Sequence, residues 1–474
     1  MNQQNNTYWP ANYTYTAIGA TLIAGLIIVG FFGTAAFPPL WIFINMAVVA
    51  VFFIALNIVS VRSLRMTSTP FIWKLFWMAW LTRVAYMFTI AYLADIETGR
   101  FFYIGAVDAT RYYRVGTEVA AIIHAGDFAR ILPHLLIEYE GLMDNIGVPL
   151  VLGFVFSLTG NSVIAGKLFF TLMGTGTVIL VYKTTRLLWD ESVARLAGIM
   201  MAFFPIALFY SSVLLKEEFV VFLAMLAIFI VTKAVKMNRI GLWNLALLLF
   251  AITFIFLFRT AAGAVLVSLV VGMFFLNRFG GSIILSAFMG VLVFGMFIYF
   301  MDTLGELQMY INRIEGYADY QEGRIGSVAR ENPFATIVGI PVYVVLSFLA
   351  PFPSIVYLPI PWNHDATYYW PGGVIIWNFL IFFGLLGAWK AIRTKWNESL
   401  AVWGFALGYT VILGLTALFT VVRFGYNVMP MFFILIAAGV HYRDEFPYWK
   451  LYLIGAVFLI FAWNVFRLAG RGML

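Results

Sequence analysis

Long apolar runs recur along the whole chain, separated by polar turns that hold most of the charged residues. About 13 of them approach the length that crosses a hydrocarbon layer roughly 30 Å thick. They lie at residues 15–34, 39–61, 72–94, 163–184, 194–213, 217–235, 242–258, 261–277, 282–301, 373–391, 400–420, 427–441 and 450–468. Because the bilayer core offers the backbone no water, each run is predicted to be an α-helix. The pattern predicts an all-α, polytopic integral membrane protein whose 474 residues form a single transmembrane domain, 1–474.

The composition agrees with this pattern. Hydrophobic residues make up 63% of the chain, charged residues 11%, and the mean hydropathy is +0.93. This excludes soluble, fibrous and disordered proteins. The chain has no cysteine, which excludes thiolate catalysis, Cys-ligated zinc and iron–sulfur chemistry. Its net charge of +7 reflects membrane topology, so no nucleic-acid partner is predicted.

The orientation follows from the basic residues, which collect in cytoplasmic loops. Four basic groups define this side: Arg62, Arg65 and Lys74; Lys183, Arg186 and Arg195; Lys233, Lys236 and Arg239; Lys390, Arg393 and Lys395. The N-terminus is then inside, and residues 95–162, 214–218, 302–372 and 421–426 face outward. Region 95–162 is a large external loop with juxtamembrane helices at 109–124 and 128–143 and a short apolar run at 147–159. Region 302–372 is a second external region with a re-entrant or surface-lying segment at 334–352.

Asp108 opens a helical pattern just outside the third span, and Tyr112 follows four residues later on the same face. A carboxylate at the membrane surface can accept a proton from an incoming hydroxyl as a general base, and a partly apolar site would raise its pKa. The alternative is that Asp108 caps the helix and the tyrosines anchor it at the interface.

Lys216 and Glu217 stand in a tight turn between two spans, in SSVLLKEEF at 211–219. Lys216 can bind a lipid-linked phosphate while Glu217 holds the lysine in place, or the turn is a solvated charged hairpin.

Arg259 and Arg423 lie at predicted outer ends, where guanidinium groups can converge on a phosphate or extend to lipid headgroups. Arg83 lies within an apolar run and should face the bundle interior with a partner.

His364 and Asp365 lie in a loop rich in proline and aromatic residues, 351–373. The pair is a candidate for acid–base chemistry or for sugar contacts, although most such neighbours in loops are incidental. The sequence has no Gly-rich phosphate loop and no serine nucleophile elbow, which disfavours nucleotide hydrolysis.

The order of these features resembles the GT-C superfamily of membrane glycosyltransferases, in particular the polyprenyl-phosphate-sugar-dependent branch related to protein O-mannosyltransferases. The resemblance covers about residues 95–240. It rests on VDATRYYRVGTEVA, on VPLVLGFVFSLTGNSVIAGKLF at 148–169, on VYKTTRLLWDESVARLAG at 181–198 and on FFPIALFYSSVLLKEEF at 203–219. Two features depart from the branch: a second span precedes the one leading into the acidic loop, and a lysine precedes the glutamates in KEE.

The resemblance implies that a polyprenyl-phosphate-linked sugar is transferred to a glycan, lipid or protein hydroxyl at the outer face, with inversion at the anomeric carbon. Asp108 would be the base, Tyr112 would support the site, and Lys216 would contact the donor phosphate. The resemblance assigns no definite cofactor, and a divalent cation, Mg²⁺ or Mn²⁺, is compatible with the chemistry. The expected location is the bacterial inner membrane, with the active site facing the periplasm or exterior.

Three alternatives remain open at the level of sequence. A polysaccharide or O-antigen polymerase or ligase would use lipid-pyrophosphate glycans and depend on Arg259 and Arg423 as much as on Asp108. A lipid or glycan transporter would need polar residues in the middle of several spans. A purely structural subunit would leave the polar loop at 95–146 without a purpose.

Overall fold

The computed structural model describes residues 7–32, 39–99, 107–278, 371–415 and 422–469, and positions 295, 347 and 348. Every regular element in these ranges is helical, which confirms the all-α prediction. The helices are α1 (Ala11–Phe32), α2 (Pro39–Ser63), α3 (Ser68–Thr98), α4 (Val107–His124), α5 (Ile131–Glu138), α6 (Gly147–Thr159), α7 (Val163–Leu188), α8 (Glu191–Phe203), α9 (Pro205–Tyr210), α10 (Glu217–Met237), α11 (Leu242–Phe256), α12 (Thr260–Arg278), α13 (Gly373–Thr394), α14 (Trp396–Leu415), α15 (Val422–Gly425), α16 (Met429–His441) and α17 (Trp449–Ala469). Four 3-10 turns are Phe128–Arg130, Met143–Asn145, Tyr426–Val428 and Arg443–Glu445.

Within the described ranges, 6 helical segments are long and apolar enough to cross a membrane. They are Ala11–Gly30, Ile42–Ser63, Val163–Leu188, Glu217–Met237, Gly373–Thr394 and Val422–His441. The total of about 13 spans stays a prediction. The predicted span 282–301 lies outside the described residues except for position 295, and so does the second external region except for positions 347, 348, 371 and 372.

Two predicted elements were wrong in their extent. The run 194–213 is not one helix, because α8 ends at Phe203 and α9 begins at Pro205. Proline has no N–H to donate and disfavours a helical conformation in the residue before it, and Phe204 is extended, with φ −68° and ψ 123°. The predicted helix 128–143 is shorter, since only α5 is α-helical there. Both α4 and α6 form close to the predicted positions.

Helix α7 lies inside the bundle, where it contacts α3, α8 and α10, while α4 packs along α6. Helices α13 and α16 cross closely, and the crossing requires glycine on both sides. A Cβ atom at Gly439 would lie 1.9 Å from the Phe383 carbonyl oxygen, and one at Gly387 would lie 1.8 Å from that of Leu435. Side chains are therefore excluded there, and the two helices pack backbone to backbone.

The basic residues that predict the orientation meet at one end of the bundle, here called the basic end. Arg195 donates to the Ser63 carbonyl, Lys236 to that of Leu187 and Lys395 to that of Leu188. Since α7 extends 26 residues from Val163 to Leu188, about 39 Å at 1.5 Å per residue, its first turn lies at the opposite end. Leu214 lies against Gly166 in that turn, which places the nearby Lys216 at this second end, here called the site end. Asp108, Arg259 and Arg423 lie there too, because ion pairs connect them to Glu217.

Candidate functional site

Asp108 and Tyr112 are placed by α4, an amphipathic helix. Asp108 lies in its first turn, and its apolar face, which includes Tyr112 and Val115, is buried. Gly116 in the same helix lies against α6, since a Cβ there would be 2.9 Å from the Cβ of Leu152. The packing of α4 on α6 therefore determines where the carboxylate of Asp108 lies, and the side chain is 46% exposed.

Four charged residues from distant parts of the chain form one network at the site end, here called the carboxylate–arginine cluster: Asp108, Glu217, Arg259 and Arg423. The Nη1 of Arg423 donates to Oδ2 of Asp108 at 2.5 Å. Its Nε donates to Oε1 of Glu217, and Nη2 of Arg259 donates to the same oxygen at 2.8 Å. Glu217 thus holds two guanidinium groups, one of which also binds Asp108.

Lys216 joins the cluster from the neighbouring position. Its Nζ donates to the Asp144 carbonyl at 3.0 Å and to Oδ1 of Asn145 at 2.7 Å, and it lies 3.7 Å from Oδ2 of Asp144. The Tyr112 hydroxyl donates to the same Asn145 oxygen at 3.3 Å. Because Lys216 is only 8% exposed and Glu217 is 0% exposed, the alternative of a solvated charged hairpin was wrong.

The electrostatics of Asp108 correct one expectation. Burial alone would raise the pKa of Asp108, but the charge and hydrogen bond of Arg423, with smaller contributions from Lys216 and Arg259, lower the pKa below its ordinary value. The sequence had suggested a raised pKa. The opposite holds because an arginine from a distant part of the chain lies against the carboxylate.

Burial is also the main cause of the pKa shifts of Lys216 and Tyr112. It lowers the pKa of Lys216 to about 8, with Asp144 opposing the change and Arg259 and Arg423 adding to it. Burial also raises the pKa of the Tyr112 hydroxyl well above its ordinary value, so Tyr112 is a neutral donor at physiological pH. Since the charge of Lys216 helps to lower the pKa of Asp108, the two predicted residues lie in one site.

The cluster keeps hydrogen-bonding capacity that the described residues do not use. Oε2 of Glu217 and Nε of Arg259 are buried and have no hydrogen-bond partner within the described ranges. The guanidinium of Arg259 also lies over the ring of Phe424, 4.5 Å from its centroid. Buried polar atoms without a hydrogen-bond partner are uncommon in folded proteins, and those that occur are often found at functional sites.

Several residues of the site were missed. Asp144 and Asn145 hold Lys216 from a 3-10 turn, and their signal was only a polar pair before the apolar run 147–159. That turn is fixed to the segment carrying Arg259, because the Gly147 N–H donates to the Leu257 carbonyl at 2.9 Å. His364 and Asp365 lie outside the described residues.

The donor atoms of the described residues do not fit a divalent cation. Mg²⁺ and Mn²⁺ favour several carboxylate or carbonyl oxygens around one point. Asp108 and Glu217 are paired with arginines and Asp144 with Lys216, and no group of three or more potential ligands occurs within the residues described.

A family model described as dolichyl-phosphate-mannose-protein mannosyltransferase matches residues 145–304. The matched range contains Lys216, Glu217 and Arg259. The match confirms the resemblance to GT-C glycosyltransferases over this part of the chain and supports a membrane glycosyltransferase. No curated protein matches significantly.

Among solved structures, the chain is similar to the archaeal oligosaccharyltransferase AglB from Archaeoglobus fulgidus in complex with an inhibitory peptide and a dolichol-phosphate. That match has 16% identity and a TM-score of 0.37, and covers 69% of this chain and 47% of that one. An Archaeoglobus fulgidus oligosaccharyltransferase in complex with Zn and sulfate has 16% identity and a TM-score of 0.35, with 69% and 44% covered. The chain thus spans less than half of either structure's length.

Proposed function

We propose that this protein transfers a sugar from a polyprenyl-phosphate donor to an acceptor hydroxyl, with inversion at the anomeric carbon and Asp108 as general base. One observation carries the proposal: three cations, Lys216, Arg259 and Arg423, converge with an accessible carboxylate at one end of a membrane helix bundle. The family match supports a polyprenyl-phosphate donor and makes a protein one of the candidate acceptors, besides a glycan or a lipid.

The cations would act on the leaving group. A polyprenyl-phosphate sugar is a phosphodiester with one negative charge, and the released polyprenyl phosphate carries up to two. As the bond between the anomeric carbon and the phosphate oxygen breaks, negative charge builds on the phosphate. Fixed guanidinium and ammonium groups stabilise that developing charge more than the ground state, which is the condition for accelerating the reaction.

Asp108 would accept the acceptor's proton as the acceptor oxygen bonds to the anomeric carbon. In the free protein Arg423 neutralises this carboxylate. A donor phosphate that binds Arg423 would compete with Asp108 for the guanidinium and raise the basicity of the carboxylate. The donor thereby prepares the base for the acceptor, and attack on the face opposite the phosphate inverts the anomeric carbon.

The location follows from charge. The basic end carries the lysines and arginines that favour the cytoplasm, so the site end would face the periplasm or exterior of a bacterial inner membrane. There the acceptor would reach Asp108 from the aqueous side, and the polyprenyl chain would enter from the outer leaflet.

The test is transfer from a panel of labelled polyprenyl-phosphate sugars by the purified protein and its Asp108→Asn variant. Removing a general base typically costs 10²–10⁴-fold in rate, so the variant should lose about 10²-fold or more. Asp444→Asn, at an 86% exposed carboxylate of the basic end, is the matched control and should transfer normally. Full activity of Asp108→Asn would refute its role as the base. No transfer from this panel, together with transfer from labelled lipid-pyrophosphate glycans assayed in parallel, would favour a polymerase or ligase instead.

A further inference from the structure

A second group of charges lies deeper in the bundle than the carboxylate–arginine cluster, and no step of the proposed reaction uses it. It consists of Arg83 in α3, Glu218 in α10 and Tyr426, here called the buried layer. All three side chains are 0% exposed. Charges in a membrane-spanning bundle are costly and are kept where they serve a function or hold a structure in register.

Arg83 bonds to the break between α8 and α9. Its Nη2 donates to the Met201 carbonyl and its Nη1 to the Ala202 carbonyl, both at 3.1 Å. In an unbroken helix the Met201 carbonyl would accept from the N–H of residue 205, which is a proline and has none. The guanidinium therefore replaces hydrogen bonds that Pro205 removes, and it fixes the position of α9 relative to α8.

Glu218 links this arginine to the segment that carries Arg423. Its Oε2 accepts from the Tyr426 hydroxyl at 2.8 Å. Its Oε1 and the Nε of Arg83 both lie against Gly174, 3.1 and 2.9 Å from where a Cβ atom would stand, so the two opposite charges are close. The ring of Tyr426 stacks on that of Tyr210 in α9, with centroids 4.6 Å apart.

The buried layer adjoins the carboxylate–arginine cluster through two short stretches of backbone. Glu218 directly follows Glu217, and the two side chains leave α10 in different directions, one to the arginines and one to the layer. Tyr426 lies three residues after Arg423, about one helical turn. Both Glu217 and Arg423 are thus attached to residues that the layer immobilises.

We infer that the buried layer positions Arg423 and Glu217 for the donor phosphate, so that Arg83, Glu218 and Tyr426 act as positioning residues. This inference rests on the proposed function. It explains why a charge pair is present where apolar side chains would pack, because the guanidinium of Arg423 must meet the phosphate in one fixed orientation.

The first test is the affinity for undecaprenyl phosphate in detergent, measured with Tyr426→Phe. This variant keeps the ring stacked on Tyr210 and removes only the hydroxyl. The matched control is Tyr182→Phe at the basic end, where a buried tyrosine donates to Glu191 at 2.7 Å. We expect Tyr426→Phe to lose about tenfold in affinity and Tyr182→Phe to stay within twofold of the native protein, with similar thermal midpoints. Equal affinity of Tyr426→Phe and the native protein would overturn the inference.

A double-mutant cycle with Arg423→Met separates positioning from a general structural role. If Tyr426 acts through Arg423, Tyr426→Phe should change affinity less than twofold once Arg423 is absent. The same tenfold loss in both backgrounds would overturn the inference while leaving the proposed function intact. Failure of the native protein to bind undecaprenyl phosphate would overturn both. Should Tyr426→Phe not fold, Glu218→Met, which is similar in size and cannot accept the hydrogen bond from Tyr426, carries the same expectation.

Discussion

Both ends of the bundle carry many charged residues, but the ion pairs at the two ends differ in their exposure to solvent. At the basic end, Lys390 pairs with a Glu445 that is 53% exposed, and Arg186 is itself 53% exposed. At the site end, Arg259 pairs with a fully buried Glu217, and Lys216 and Asp144 are both less than 10% exposed. These ion pairs of the basic end therefore reach water, whereas those of the site end enclose balanced charge.

This difference has a physical consequence. Removing ions from water costs several kcal/mol per ion, and pairing offsets this only with good geometry. Exposed pairs carry almost no such cost and contribute about 0–1 kcal/mol. A protein that only needed a stable bundle would have no reason to bury two cations, Lys216 and Arg259, and two carboxylates, Glu217 and Asp144, at one end. A site that must bind and stabilise a phosphate has that reason.

The largest expected effect comes from Glu217→Gln, which removes the charge shared by Arg259 and Arg423. Breaking a buried pair typically costs about 3–5 kcal/mol because a charge is left uncompensated. Glu445→Gln at the basic end should cost less than about 1 kcal/mol. Unfolding in detergent by chemical denaturant measures both. Equal losses would mean that the two ends do not differ in the way described.

The next effect is a pH dependence. Burial holds the pKa of Lys216 at about 8, and the ammonium is the form that binds phosphate. Undecaprenyl phosphate should therefore bind best below pH 8 and lose about tenfold in affinity as the pH rises to 9.5, since a shift of one pKa unit corresponds to about 1.4 kcal/mol. Lys216→Arg, which stays charged throughout, should flatten the profile. A native profile that is flat from pH 7 to 9.5 would contradict this role of Lys216.

The smallest effect comes from an exposed ion pair at the site end itself. Arg114 is 53% exposed and pairs with Glu118 and Glu138 at 2.7 and 2.6 Å. Arg114→Ala should cost about 0.5 kcal/mol or less, and the loss should shrink in high salt. A thermal unfolding series at low and high ionic strength measures it. A loss as large as that of Glu217→Gln would show that location, rather than burial, distinguishes the ends.

Much of the site could be predicted from sequence because topology carries the information. Run lengths and the distribution of lysine and arginine placed Asp108, Lys216, Arg259 and Arg423 on one side of the membrane, and the structure brings them together at one end. Residue chemistry then suggested a phosphate and a base. Membrane topology does not determine which charged residues pair with each other. The pairing of Arg423 with Asp108 was therefore missed, and so was the direction of the Asp108 pKa shift.

The details that the sequence left undecided share a physical reason, which is that they depend on local geometry. Glu217 and Glu218 are adjacent, and only the rotation of α10 decides which one faces the arginines and which one faces Arg83. Pro205 indicates a helix break, but the apolar run continues across it. The run was therefore predicted as one span from its length. Asp144 and Asn145 are polar residues in a short turn, where no periodicity exists to assign them a face.

The most direct test of the central claim is whether the cations of the site end bind a polyprenyl phosphate. Affinity for undecaprenyl phosphate in detergent should be compared for the native protein, Arg423→Met and Arg186→Met, the last removing an exposed arginine of the basic end. We expect that the native protein binds, that Arg423→Met loses about tenfold or more in affinity, and that Arg186→Met stays within twofold of the native protein. Equal affinities for all three, or an equal loss in both variants, would contradict this claim.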